Sequence, residues 1–222
     1  MFSPSDIEES VRQALVCWPR LSLLPHPSPA ADRDLPAQLS VWAQLVVHWN
    51  ARMDLTAARN PAELVDLLLA DAAHLATHAK AQSRWVDVGT GAGAPGLGLA
   101  IFRPDLHVTL VEPRQKRVAF LRTVLGTLRC QNVTVIRCRG EDVVRQGQRF
   151  DAAVARATLP PPAWLALGHQ LAPNGSVVGL LANQAAPTLA GRVVAKKETY
   201  VWPLTQTTRS AVWWSPTEED TG

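Results

Sequence analysis

Over the first eighty positions apolar residues recur at helical spacing. Residues 5–17 alternate polar and apolar positions as an amphipathic helix does, and Leu39, Trp42, Leu45, Val46 and Trp49, then Leu64, Leu67, Leu68 and Leu75, continue the 3.6-residue period. Asn60-Pro61 followed by Glu63 predicts a helix start, with Asn60 as cap and Pro61 in the first turn. Five prolines within residues 18–36 predict an irregular loop. After residue 84 the pattern changes. Short apolar runs at 84–89, 107–112, 132–138, 149–155 and 175–181 read as strands, with helical segments at 94–102, 114–129 and 161–171 between them. Two further strands, 192–201 and 208–214, close the chain. Strand–helix alternation predicts an α/β fold with a mostly parallel sheet covered on both faces, and two consecutive strands at the end predict an edge hairpin. The expected division is a helical cap over 1–80, a core over 81–215 and a frayed polar tail over 216–222.

Chemistry concentrates in Asp87-Val-Gly89-Thr-Gly91-Ala-Gly93-Ala94-Pro-Gly96, which joins the first strand to an aliphatic helix. Glycine tolerates positive φ and lets backbone approach a ligand, so the run predicts a nucleotide-like cofactor. It satisfies G-x-G-x-x-G, and Glu112 lies about 20 residues on, where a dinucleotide site would have an acid. Two features point instead to S-adenosylmethionine. Asp87 can accept from a ligand ammonium, which a nicotinamide dinucleotide lacks there, and too few strands follow for a second mononucleotide half. Glu112, at the end of the second strand, can take ribose hydroxyls or simply precede a helix. Gly140 and Glu141 after the third strand can meet the adenine edge. Arg156 closes the fourth strand at the carboxyl edge, where open α/β sheets bind ligands.

Net charge is +3 over 222 residues, but residues 103–149 hold ten Lys/Arg against four acids. That basic middle fits an anionic partner such as nucleic acid, with Arg114, Lys116, Arg117 and Arg122 as candidate phosphate contacts and a solvated helix face as the alternative. Three cysteines without metal-ligand spacing, no membrane-length apolar run and no basic-then-apolar start predict a reduced, cytoplasmic protein. His74 and His78 stand four apart but lack a third ligand at the usual spacing, so no metal is expected. Trp42 and Trp49 share a helix face and read as cap core, and Trp202, Trp213 and Trp214 as sheet packing.

Together the blocks His48-Trp49-Asn50 to Asp54-Leu55-Thr56, Asp87 to Gly96, Ile101 to Asp105, Leu110-Val-Glu112, Lys116-Arg117-Val-Ala-Phe120-Leu121, Asn132-Val133, Arg139-Gly-Glu141 and Phe150-Asp151 with Ala155-Arg156-Ala157 resemble the bacterial 16S rRNA guanine-N7 methyltransferase family, once called glucose-inhibited division protein B. The resemblance spans roughly 40–181. It implies a class I, Rossmann-like methyltransferase fold with a seven-stranded sheet, a helical cap and S-adenosyl-L-methionine as cofactor. It also implies ribosomal RNA or the small ribosomal subunit as partner, and by position it puts Gly89, Ala94, Gly140, Glu141 and Arg156 at the cofactor, beside Asp87, Gly91, Gly93 and Glu112. A monomer is expected. Departures from the family pattern fall at Asp54, at Leu67 and Leu68 (for Arg-His), at Ala182 and at Ser210.

Guanine N7 offers a lone pair and no proton, so methyl transfer to it needs alignment rather than a general base, and no catalytic His or Cys is expected. Amino-group methyltransferases commonly carry Asn/Asp-Pro-Pro-aromatic after the fourth strand, where this chain reads Thr158-Leu159-Pro160-Pro161-Pro162. The departures keep open a diverged methyltransferase with another substrate, or a cofactor-binding module without turnover. A dehydrogenase comes last.

Overall fold

The computed structural model describes residues 2–24, 34–182 and 184–217. Among the described residues seven α-helices, α1 (Pro4–Val16), α2 (Leu35–Asn50), α3 (Pro61–Ala76), α4 (Gly96–Phe102), α5 (Gln115–Leu128), α6 (Gly140–Arg145) and α7 (Pro161–Leu171), accompany seven strands: β1 (Arg84–Val88), β2 (His107–Val111), β3 (Val133–Ile136), β4 (Ala152–Arg156), β5 (Ser176–Leu181), β6 (Arg192–Val201) and β7 (Thr208–Pro216). The strand order is β3-β2-β1-β4-β5-β7-β6. The first five run parallel, and β7 is antiparallel to both β5 and β6. Chain order reverses between β1 and β4, so the loops after these strands flank the crevice that such sheets offer to ligands.

Each strand residue alternates between two apolar layers. Trp85, Val108, Val154 and Trp213 point to a layer that also holds buried residues of α1 to α5, including Ile7, Trp42, Leu64 and Leu97. Val86, Val88, Ala153, Val177 and Trp214 face the other layer, built on Trp164 and Leu165 of α7. The N-terminal helices therefore share one continuous core with the sheet. Asn60 caps α3 by accepting from the Glu63 amide at 2.8 Å, as its position before Pro61 predicts.

Several boundaries differ from the sequence expectation. The proline-rich stretch is not loop throughout: Pro19–Leu23 is a 3-10 turn, and α2 starts at Leu35 because Asp34 accepts from the Ala37 amide while Pro36 takes an early position needing no donor. Pro25, Pro27 and Pro29 lie outside the described residues. Pro216, expected in the tail, ends β7, and 218–222 lie outside the described residues. Helix α6 was not expected, since its six residues are too few for a period to register; Asp142 supports its start by accepting from the Arg139 amide at 3.0 Å. Trp202 sits one residue beyond β6 rather than within a strand.

Candidate active site

The loop after β1 is held by two acids. Asp87 is wholly buried, and its Oδ2 accepts from the Thr90 hydroxyl at 2.7 Å and from the Gly96 amide at 2.8 Å. This ties both ends of the glycine run to one strand-end carboxylate. Its Oδ1 is buried without a partner. Burial pushes the Asp87 carboxyl up to about 6, against the lowering effect of those hydrogen bonds. Glu112, at the end of β2, accepts from the Gly91 amide at 3.2 Å and from the Arg114 amide at 2.9 Å, joining the loop to the start of α5. Arg117 lies 3.8 Å from Glu112 and donates to the Asp54 carbonyl at 2.6 Å. The Trp42 indole donates to the Ala92 carbonyl at 3.1 Å, so the N-terminal helices also grip the loop.

Gly89, Gly91 and Gly93 all have positive φ. Only at Gly91 is the space beside Cα open, with Arg117 the nearest side chain at 3.8 Å from a built Cβ. At Gly89 a Cβ would lie 2.4 Å from the Thr158 methyl, and at Gly140 2.8 Å from Leu167. Close packing thus leaves no room for a side chain at either glycine. Ala94 is buried, and Glu141 is exposed at the start of α6.

Arg156 turns toward α3. It donates to the Leu67 carbonyl at 2.6 Å and to Asp71 Oδ2 at 3.0 Å. Asp71 Oδ1 accepts from the Tyr200 hydroxyl at 2.7 Å and the Trp202 indole at 2.8 Å. Burial and the Asp71 carboxylate drive the Tyr200 phenol far above its ordinary value, so it stays a donor. Nearby, Asp66 accepts from Leu204 and Thr205 amides and from the Thr205 hydroxyl. One face of α3 therefore clamps the β6–β7 connection. Asp71 also lines a cavity of about 720 Å³, together with Arg156, Thr158, Trp164, Gln184, Trp202 and Arg209. The Arg209 guanidinium lies over the Trp202 ring, 4.4 Å from its centre. Thr158 links this cavity to the glycine loop by donating to the Val88 carbonyl at 2.9 Å. Ala157, between Arg156 and Thr158, is held at φ 52°, a left-handed conformation that costs a non-glycine residue energy and clusters at functional sites.

Against known proteins, the GidB family, described as rRNA small subunit methyltransferase G, matches residues 36–195. The chain belongs to the GidB family. Among curated members, the Ribosomal RNA small subunit methyltransferase G of Pseudomonas aeruginosa strain PAO1 is 38% identical over 128 residues, covering 58% of this chain and 59% of its own length. That of Anaeromyxobacter dehalogenans is 33% identical over 198 residues, covering 85% of this chain and 90% of its own. The match to the Pseudomonas relatives thus spans somewhat under two thirds of their length. Two solved structures share the fold: MtNAS in complex with MTA and tNA (TM-score 0.54, 17% identity, 95% of this chain and 86% of that one) and TrmN from Thermus thermophilus (TM-score 0.51, 15% identity, 98% and 80%). The class I methyltransferase architecture expected from the GidB resemblance is the one observed.

Of the five departures from the family pattern expected from the sequence, Leu67 and Ala182 line the same cavity as Arg156 and Arg209, whereas Leu68 is buried in the core, Ser210 lies in β7, and Asp54 offers its carbonyl to Arg117 beside the glycine loop. Of the four basic candidates, Arg114, Lys116 and Arg122 are exposed, while Arg117 is partly buried against the loop. Sequence reasoning missed the roles of Asp71, Tyr200, Trp202 and Arg209. The available signal was an acid at 66 and another at 71 within the apolar run 64–73 of α3, since a buried carboxylate needs partners brought from elsewhere.

Proposed function

We propose that the chain is an S-adenosylmethionine-dependent methyltransferase that modifies N7 of a guanine in small-subunit ribosomal RNA, acting as a monomer in the cytoplasm. The observation that carries the reading is the junction at Thr158, where a family-type glycine loop meets a separate walled cavity. One space takes the donor, the other the base. The residues fit the cofactor: Asp87 keeps an unpartnered buried oxygen in the strand end, and Gly91 is open where its neighbours are packed. Asp87, Gly89, Gly91, Gly93, Ala94, Glu112, Gly140, Glu141 and Arg156 would form its cradle. Bound S-adenosylmethionine supplies an electrophilic methyl on a sulfonium.

The chain itself contributes position and dryness. The Asp87 and Glu112 carboxylates fix the loop, and Trp164 and Trp202 give the cavity apolar walls that exclude water. Asp71 already accepts from three donors, so it cannot serve as a base, in keeping with a nucleophile that has no proton to lose. Arg114, Lys116 and Arg122 would meet phosphate. The altered cavity residues Leu67 and Ala182 favour one second reading, a methyltransferase of this fold with a different acceptor. Deleting the gene and measuring N7-methylguanosine in small-subunit RNA separates the two. Loss of the modification, restored by the intact gene and not by a Gly89→Asp copy, supports the first. An unchanged level overturns it, and methyl transfer to another cell fraction then supports the second.

A further inference from the structure

Beyond the cavity, His74 in the last turn of α3 and His78 just past its end stand four residues apart, and the fold brings Glu198 of β6 up to both. Glu198 Oε2 lies 3.3 Å from His74 Nε2 and 3.1 Å from His78 Nε2, and the three donor atoms lie within 4.8 Å of one another. We propose that His74, His78 and Glu198 form a binding site for a divalent transition-metal ion of the zinc type, which pins the end of α3 to the edge strand β6.

The hydrogen-bond pattern argues for a cation there. His78 Nδ1 lies 2.9 Å from the His74 carbonyl and 3.1 Å from the Thr77 hydroxyl, which itself donates to that carbonyl at 2.8 Å, so Nδ1 is the donor of this trio. Nε2 then faces the carboxylate oxygen, a contact that a positive charge makes favourable, either a second ring proton or a metal ion held between the two. This is also how ligating histidines are usually oriented, one ring nitrogen donating to a carbonyl and the other free for metal. His74 Nε2 is buried and has no hydrogen-bond partner despite its closeness to Glu198. Nitrogen and oxygen ligands at about 2.0–2.1 Å from a tetrahedral ion stand about 3.3 Å apart, close to both separations to Glu198.

The surroundings suit the site. Tyr200 stacks on His74 with ring centres 4.0 Å apart, and Trp213 lies beside both imidazoles at 5.6 and 5.1 Å, which fixes the rings. The side chains of His78 and Glu198 keep 22% and 34% exposure, enough for an ion to enter. Lys196 is the opposing group, its ammonium 2.7 Å from Glu198 Oε1. It holds the other carboxylate oxygen and leaves Oε2 for the metal, at the cost of some repulsion.

The test is titration of the full, metal-stripped chain with Co²⁺ and Zn²⁺, following the visible bands of tetrahedral Co²⁺ and the melting temperature. One equivalent should bind and Zn²⁺ should raise the melting temperature. His78→Asn and Glu198→Gln should each weaken binding at least about tenfold, the scale of loss seen even for outer-shell changes. Cys17→Ser, at the rim of the neighbouring cavity, should change nothing. Glu198 is on an edge strand and partly exposed, so its variant should fold even where a histidine variant does not. No stoichiometric binding, or binding that survives Glu198→Gln, overturns the site. So does binding that depends on Cys17.

Discussion

The glycine loop and the cavity wall are both held by buried carboxylates, yet they are assembled differently. Asp87 and Glu112 bind amides of the loop that directly follows β1, within a unit of about 30 residues. Asp66 and Asp71 gather partners from more than a hundred residues away, at Tyr200, Trp202 and Thr205. The carboxylates of the loop bind donors close by in sequence, whereas those of the wall need the β6–β7 hairpin docked on α3. Of the departures expected from the family pattern, Leu67 and Ala182 fall on the second region and Asp54 beside the first.

The sharpest way to break this comparison is Asp71→Ala. It strands the Arg156 guanidinium and leaves the Tyr200 hydroxyl and Trp202 indole without an acceptor. Removing one partner of a buried ion pair costs roughly 3–5 kcal/mol. Chemical denaturation should show a loss of that size, with cofactor binding surviving wherever the protein remains folded. A smaller stability loss than about 1 kcal/mol, or cofactor affinity lost in step with stability, would mean that the two regions are one unit.

The same contrast explains what could be read from the chain. Strand–helix alternation after residue 84 and the glycine run depend on neighbours in sequence, so β1, α4, β2 and α5 fall within a few residues of their expected places. The starts of the last two strands and the end of β6 also fall where expected, whereas β7 runs on to Pro216. Arg156 was legible as a site residue but its partner was not, because nothing local links it to Asp71, 85 residues earlier. Glu198 was invisible beside His74 and His78 for the same reason. Gly140 read as a ligand contact, while its crowding by Leu167 and Val88 belongs to packing that only the fold reveals.

Asp87→Asn probes the loop through pH. The native carboxyl titrates near 6, against about 3.8 in the unfolded chain. Between these values the native state holds a proton that the unfolded state has lost, so this group's contribution to stability falls as pH rises through the window. At pH 7 the penalty is about 3 kcal/mol by the relation of 1.36 kcal/mol per unit. The stability of Asp87→Asn relative to the parent should therefore improve by up to about that amount between pH 4 and 7, measured by urea melts. A pH-independent difference would sink the assignment of the buried charge. A ligand ammonium near Asp87 would favour its ionised form, so parent affinity for S-adenosylmethionine should fall below pH 6 and flatten in the variant. Gly96→Ala follows in size. Its Cβ would stand 2.7 Å from Asp87 Cβ and 2.6 Å from Leu110, and overpacking of this kind costs about 1–3 kcal/mol. That loss should come with weakened cofactor binding, because the Gly96 amide is one of the two donors on Asp87.

The smallest effects should separate Arg122 from Arg117, two cations on one helix with different surroundings. Arg122 is exposed on α5, so Arg122→Ala should leave stability within about 0.5 kcal/mol. If it contacts a phosphate, the slope of log affinity for small-subunit RNA against log salt should become shallower by about one. Arg117 is turned inward, toward the Asp54 carbonyl and Glu112 beside Gly91. Arg117→Ala should therefore leave the salt slope unchanged and weaken S-adenosylmethionine binding instead, since its loss frees the 54–56 turn that Asn50 also holds through the Leu55 and Thr56 amides. Calorimetry with the cofactor and filter binding with RNA at several salt concentrations give both readings on the same two variants. If Arg117→Ala flattens the salt slope as Arg122→Ala does, the basic stretch acts as one RNA surface and the inward contacts of Arg117 are secondary to it.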